Sequence, residues 1–111
     1  MGTANMKAPP FAALVAANGE RTQVRLIGEL DVATAPRAAA AIAEAERDLP
    51  PTLELDLSGL AFMDSTGLRL MLCTRQRALA ESRRLVLRRG PDAVQRVLDI
   101  TALASLFEFV N

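Results

Sequence analysis

The sequence predicts a single α/β domain with a mixed four- to five-stranded sheet and about four helices on one or both of its faces. Its 111 residues are enough for one domain with a hydrophobic core of its own. Asn18-Gly19 lies between two apolar runs and is a hairpin signal, because both residues tolerate positive φ. After this hairpin, strand and helix patterns alternate, which is typical of parallel strands joined by helical crossovers.

The chain begins with a loose stretch, residues 1–10, which predicts a flexible N-terminal tail ahead of a domain over residues 11–111. Phe11–Ala16 and Thr22–Leu30 are the two strands of the predicted hairpin. In the second strand, alternate residues from Val24 onward are expected to share the buried face.

An alanine-rich segment, Arg37–Asp48, has high helix propensity and predicts the first helix. Thr34 is expected to cap its start, and Pro36 is acceptable in its first turn, where no intrahelical donor is lost. Leu49-Pro50-Pro51 ends the helix, and Leu53–Leu57 predicts the third strand.

The second long helix is predicted to begin after Asp64, a good N-cap residue, and to end near Ala80. A helical wheel gives it a core-facing stripe formed by Leu68, Met71, Leu72, Ala78 and Leu79. The opposite side of the wheel carries Thr66, Leu70, Cys73 and Arg77. Leu70 and Cys73 are therefore expected to be semi-exposed apolar residues.

The last third of the chain contains a short fourth strand, Arg84–Arg88, and a Gly90-Pro91 turn into a helix over Asp92–Leu98. Thr101–Phe107 predicts a last helical turn. The apolar end around Phe109 is expected to pair as a strand or to pack as a tail.

Two arginine pairs, Arg83-Arg84 and Arg88-Arg89, flank the apolar centre of the fourth strand. One interpretation is charge that keeps an exposed sheet edge from pairing with other chains. The other is a nucleic-acid or membrane patch. The formal net charge of zero favours the first, because nucleic-acid affinity rests largely on phosphate neutralisation.

The composition excludes several function classes. The chain has no histidine, which removes a Ser-His-Asp triad, histidine metal ligands and an imidazole base. Its one cysteine, Cys73, leaves no intramolecular disulfide and no cysteine-based zinc site, and suits a reducing cytoplasm. No phosphate-binding loop, signal peptide or membrane span is visible. We therefore expect a cytoplasmic, non-enzymatic protein without cofactor or metal.

Three segments resemble the STAS family, the sulfate-transporter and anti-sigma-factor-antagonist domains. The run Gly28-Glu29-Leu30-Asp31 resembles the end of that family's second strand. The run Asp56–Leu68, with Phe62-Met63-Asp64-Ser65-Thr66-Gly67 at its centre, is similar to the family's phosphorylation-site motif. Leu98–Phe107 is similar to its C-terminal helix. The resemblance covers Phe11 to Phe109 and implies a STAS-like domain with helices mainly on one face of the sheet.

The resemblance implies an anti-sigma factor antagonist that works by partner switching in transcription regulation, as in stress responses. Such a domain, unphosphorylated, binds an anti-sigma factor serine kinase and so frees a sigma factor. The kinase switches it off by phosphorylating a serine, and a serine phosphatase reverses this. The match assigns the acceptor to Ser65, with Thr66 as the fallback. Arg69 departs from the pattern, since many members have glycine there, and this bears on which partner is recognised.

The residues around Ser65 have physical interpretations of their own. A phosphate on the first residue of a helix lies near unpaired N–H groups and the positive end of the helix dipole. Phosphorylation is therefore predicted to leave the fold intact and to repel the partner, with Asp31 and Asp64 deepening the negative charge. Gly67 is interpreted either as giving a partner close access to the hydroxyl or as a plain helix-start glycine.

The predicted partner surface consists of Asp31, Thr34, Asp64, Thr66, Gly67, Arg69, Leu70 and Cys73. Asp31 has a second interpretation, a loop aspartate that accepts hydrogen bonds from nearby backbone amides, and Thr34 is favoured as a helix cap. For the whole chain, the alternative function is a STAS subunit of a lipid-transport or other membrane transporter complex. The oligomeric state is left open between a monomer and a weak dimer.

Overall fold

A computed structural model describes residues 9–111, which form a five-stranded sheet and three α-helices. The strands are β1 (Ala12–Asn18), β2 (Arg21–Leu30), β3 (Thr52–Met63), β4 (Arg84–Arg88) and β5 (Glu108–Val110). The helices are α1 (Ala35–Glu46), α2 (Ser65–Ala80) and α3 (Asp92–Ile100), followed by a 3₁₀ turn at Ala104–Leu106. The predicted α/β class is confirmed, with the 3₁₀ turn in place of a fourth helix. Of the predicted tail, residues 1–8 lie outside the described residues.

The strands follow one another across the sheet in chain order. β1 is antiparallel to β2, and every later neighbour is parallel, so the sheet is mixed as predicted. The hairpin loop is Gly19-Glu20, because Asn18 still pairs with Arg21. The hairpin that Asn18-Gly19 predicts is confirmed, and of these two residues only Gly19, with φ +64°, has positive φ. A glycine at the first central position is the pattern of a type II′ turn.

All three helices pack on one face of the sheet. α1 buries Ala38, Ala41, Ile42 and Ala45, and these join α2 and α3 residues in a single core with Leu53, Leu55 and Leu57 of β3. On β2, Val24, Leu26 and Leu30 face the same core, as the alternation predicts. Within residues 9–111, no helix has both the length and the apolar character needed to cross a membrane.

The opposite face of the sheet is called here the outer face. It carries a network of charged and polar side chains joined by hydrogen bonds, formed by Arg21, Gln23, Glu54 and Arg88. Glu54 is only 1% exposed, and its two carboxylate oxygens accept hydrogen bonds of 2.8 Å from Arg21, Gln23 and Arg88. Burial raises the pKa of the Glu54 carboxyl, but the hydrogen bonds from Arg88 and Gln23 and the charges of Arg88 and Arg21 outweigh it, so the pKa lies below its usual value.

Three of the four arginines around β4 form ion pairs, and the interpretation as charge on an exposed sheet edge is wrong. β4 is not an edge, since it pairs with β3 on one side and β5 on the other. Arg88 binds Glu54, Arg84 binds Glu108, and Arg83 lies 3.5 Å from Glu46. These charges are neutralised within the fold, because carboxylates on neighbouring elements meet them in register.

β3 is much longer than the predicted Leu53–Leu57. It continues through Ser58 and Gly59 to Met63, with two register shifts against β2. At the first shift, the Asp56 carboxylate accepts hydrogen bonds from the backbone N–H and the hydroxyl of Ser58, at 2.9 and 2.7 Å. The Ser-Gly pair thus lies at a local irregularity, and β3 continues beyond it.

Helix α2 has the predicted bounds, but its core stripe differs. Leu68, Met71 and Ala78 are buried as expected, whereas Leu79 is 63% exposed. Thr74 takes the buried place and donates its hydroxyl to the Leu70 carbonyl at 2.8 Å. That bond satisfies the hydroxyl within the helix, so a polar residue can be buried where the wheel favoured leucine.

Candidate functional site

The start of α2 has the geometry that the sequence predicts. Asp64 is the N-cap in an extended conformation, and its side chain accepts a hydrogen bond from the Thr66 N–H at 2.9 Å. The Asp64 N–H in turn donates to the Leu30 carbonyl at 3.2 Å, which joins the end of β3 to the end of β2. Ser65 is therefore the first residue of a helix that is fixed to two central strands.

Ser65 is exposed, and Thr66 beside it is only half-buried. The first helical residues have backbone N–H groups without intrahelical acceptors, and the helix dipole adds partial positive charge there. An anionic group on Ser65 would meet favourable electrostatics at this end of α2. The first turn of α2 thus offers an anion both free backbone N–H groups and partial positive charge.

Gly67 is packed against the protein interior, and its interpretation as an access point is wrong. The residue is buried, and a Cβ built on it would lie 2.6 Å from the Met63 Cγ and 2.8 Å from a Leu30 methyl carbon. Those distances are shorter than van der Waals contact, so only glycine lets the first turn of α2 approach the ends of β2 and β3. Gly67 sets the position of Ser65 from beneath.

The loop between β2 and α1 is held by reciprocal hydrogen bonds between Asp31 and Thr34. The Asp31 carboxylate accepts from the N–H groups of Ala33 and Thr34, at 3.0 and 3.2 Å. The Thr34 hydroxyl accepts from the Asp31 N–H at 3.0 Å and donates to the Glu29 carbonyl at 2.7 Å. The loop interpretation of Asp31 is confirmed. Thr34 is the N-cap residue of α1, as predicted, but its side chain makes no capping hydrogen bond, because its hydroxyl closes the preceding turn instead.

An apolar groove of about 380 Å³ lies beside Ser65, between α1 and α2, and is called here the α1–α2 groove. One wall consists of Val32, Ala35, Pro36 and Ala39, and the other of Thr66, Arg69, Leu70 and Cys73. Leu70 is half-buried and Cys73 exposed, as the wheel predicts. Within the described part of the chain, Arg69 is the one charged side chain of this groove, and it forms no ion pair there.

The predicted partner residues are thus divided by the fold. Thr66, Arg69, Leu70 and Cys73 share one surface next to Ser65. Asp31, Thr34 and Asp64 instead hold the two turns that position that surface.

Sequence reasoning missed the α1 side of the groove and one exposed aromatic residue. Val32 is 75% exposed, and Phe62, three residues before Ser65, is 44% exposed. An apolar residue directly after Asp31, in a loop, was the available signal for Val32. The groove itself joins residues more than 25 positions apart in the chain, so no local pattern predicts it. Among residues 9–111 no cluster of acidic or cysteine side chains is arranged to hold a metal ion.

Comparison with known proteins places this geometry in a family. Residues 13–108 match the family model described as "Mlab, STAS domain". The anti-sigma-B factor antagonist of Staphylococcus aureus strain NCTC 8325 is 30% identical over 84 residues, which are 76% of this chain and 78% of that protein.

Solved structures agree with the sequence matches. An anti-sigma factor antagonist from Mycobacterium paratuberculosis superimposes with a TM-score of 0.84 at 30% identity, covering 93% of this chain and 88% of the other. The anti-sigma factor antagonist SpoIIAA in its unphosphorylated form gives a TM-score of 0.75 at 25% identity, covering 90% and 89%.

Proposed function

The chain belongs to the STAS domain family, and from this premise we propose that it is an anti-sigma factor antagonist. In its unphosphorylated form it binds an anti-sigma factor serine kinase and so frees a sigma factor. The Staphylococcus relative and the two structural neighbours are each named as anti-sigma factor antagonists, and each match covers more than three quarters of this chain. The protein then acts in the cytoplasm, where sigma factors act, by binding and not by catalysis.

Phosphorylation at Ser65 is the proposed off-switch. The kinase transfers the γ-phosphoryl group of ATP to the Ser65 Oγ, the hydroxyl proton is lost and ADP leaves. A serine phosphatase then hydrolyses the ester. The observation that carries this proposal is the exposed Ser65 hydroxyl at the first residue of α2, directly beside an apolar groove. SpoIIAA, at 25% identity, has a structure specifically of its unphosphorylated form, which fits such a switch.

The experiment that tests the proposal is phosphorylation by a candidate anti-sigma kinase with ATP, read by intact mass. Wild type is expected to gain one phosphate, and Ser65→Ala to gain none. Thr66→Ala serves as the matched control and should still be phosphorylated. A phosphate retained in Ser65→Ala but lost in Thr66→Ala would move the acceptor to Thr66.

The partner that the protein binds distinguishes an anti-sigma factor antagonist from the alternative, a subunit of a membrane transporter complex. The unphosphorylated protein should form a complex with the kinase and displace a sigma factor from it. Co-purification with the ATPase of a membrane transporter, and with no kinase, would overturn the antagonist assignment in favour of a transporter subunit.

A further inference from the structure

Arg69 combines three features that no helix-stabilising role explains. It is exposed, it lines an otherwise uncharged groove, and it has no ion-pair partner among residues 9–111. It also lies near the N-terminal end of α2, where the helix dipole offers a cation no stabilisation. Its neighbours Arg75 and Arg77 on the same helix do have partners, the Leu106 carbonyl and Glu46.

Helix geometry brings Arg69 back over Ser65. Residues four apart in an α-helix are neighbours on its surface, with Cβ atoms roughly 5–6 Å apart. Because the Cα–Cβ bonds tilt toward the helix N-terminus, a long side chain covers the turn that precedes it. The Arg69 side chain can therefore reach either the groove or the Ser65 side chain. An anion N-terminal to a cation at this spacing is also the favourable order.

We propose that Arg69 is a shared anchor, which binds a carboxylate of the partner when Ser65 is free and the phosphate when Ser65 is phosphorylated. This inference rests on the proposed function and adds the chemistry of the partner segment. The walls of the α1–α2 groove are small and apolar, with Val32, Ala39 and Leu70 offering a place for one or two aliphatic side chains. An acidic residue next to those side chains would meet the Arg69 guanidinium at the rim. The partner segment is therefore a short amphipathic stretch with an aliphatic anchor and an adjacent Asp or Glu.

Phosphorylation then weakens binding in two ways. The phosphate adds about −1.5 to −2 charge beside the partner's carboxylate. It also engages the guanidinium that the carboxylate needs, since Arg–phosphate pairs are strong and charge-assisted. The switch thus withdraws an attractive contact as well as introducing a repulsive one, and the fold does not have to change.

The first test needs no partner. Phosphoserine is incorporated at position 65 during translation, and the second phosphate pKa is measured by ³¹P NMR titration. A nearby guanidinium favours the dianion, so Arg69→Gln should raise that pKa by roughly 0.3 unit relative to the Arg69 protein. Arg47→Gln is the charge-matched control, since Arg47 is exposed at the far end of α1, and it should leave the pKa unchanged. Equal pKa values in all three proteins would overturn the inference.

The second test is a cycle of affinities for the kinase. Arg69→Gln should weaken binding of the unphosphorylated protein roughly tenfold, and phosphoserine at position 65 should then cost less affinity than it does with Arg69 present. Unchanged binding in Arg69→Gln would also overturn the inference. If the wild-type protein binds no anti-sigma kinase, the proposed function fails instead, and the ³¹P titration still decides whether Arg69 holds the phosphate.

Discussion

The outer face of the sheet and the α1–α2 groove differ in whether their charged side chains have partners within the fold. On the outer face, the buried Glu54 carboxylate is surrounded by donors that bind it at hydrogen-bond distance. In the groove, aliphatic side chains and one arginine face solvent without a partner in the described part of the chain. The buried carboxylate of the first region is satisfied within the fold, and the second region is the surface that we propose for the partner.

This difference separates structural charge from functional charge. In the sequence, the arginines around β4 have two interpretations, charge flanking an edge strand or a nucleic-acid or membrane patch, and the zero net charge favours the first. The structure shows that Arg84 and Arg88 are engaged by Glu108 and Glu54. The Glu108 hydrogen bond raises the pKa of Arg84, and the Glu54 hydrogen bond raises that of Arg88. Glu54 and Glu108 thus offset the charges of these two arginines within the fold.

The largest expected effect comes from phosphoserine at position 65. It should lower affinity for the kinase at least ~100-fold, which corresponds to about 2.7 kcal/mol. The melting temperature should stay within about 2 °C, because the helix N-terminus accommodates the anion. Calorimetric binding and thermal unfolding of the same samples measure both. A large loss of melting temperature would mean that the phosphate acts by disrupting the fold.

Glu54→Ala should have the opposite signature, with lower stability and unchanged binding. It leaves the guanidinium groups of Arg21 and Arg88 without their buried acceptor. Those arginines are 39% and 32% exposed and can turn to water, so we expect a loss of about 2 kcal/mol, below the usual cost of breaking a fully buried pair. Urea denaturation measures it, with Glu44→Ala at an exposed position of α1 as the control. Weaker kinase binding by folded Glu54→Ala would contradict the separation of the two regions.

Two equally exposed aliphatic residues, one inside the groove and one outside it, test whether the groove belongs to the interface. Val32 and Ile100 are each 75% exposed, but only Val32 lines the groove. Val32→Asp should weaken kinase binding roughly tenfold, about 1.4 kcal/mol, because it puts a charge against the partner's apolar anchor. Ile100→Asp should leave binding unchanged, and both should change stability by less than about 0.5 kcal/mol. Equal effects of the two variants on affinity would remove the groove from the interface.

The smallest effect is a pH dependence that belongs to the outer face alone. The pKa of Glu54 is lowered in the folded state, so its contribution to stability is present above the unperturbed pKa of 4.5 and is lost as the pH falls through the folded pKa. Wild type should therefore lose stability below pH 4.5, and Glu54→Gln should show a flatter dependence over that range. Denaturation midpoints between pH 3 and 7, compared for the two proteins, measure it. The same slope in both proteins would assign the dependence to other carboxylates.

The sequence was sufficient where structure is decided locally. The Asp64 cap, the bounds of β4 and the exposure of Cys73 follow from short-range patterns, and each is confirmed. It failed where a distant neighbour decides. The third strand is predicted to end at Leu57, but its pairing with β2 continues to Met63. Gly67 is interpreted as an access point, but Leu30 of β2 lies against it. The α1–α2 groove belongs to the same class, because its two walls are far apart in the chain.

The close packing beneath Gly67 has a consequence for how the site tolerates mutation. Every other amino acid carries a Cβ, and at this position that atom would collide with Met63 and Leu30. Position 67 should therefore behave in a saturation screen like a fully constrained core residue, although it lies in an exposed helix turn. Positions 66 and 69 on either side should accept many residues without loss of folding. A lineage could then change its binding partner by substitution at the tolerant positions while the scaffold under the serine stays constant.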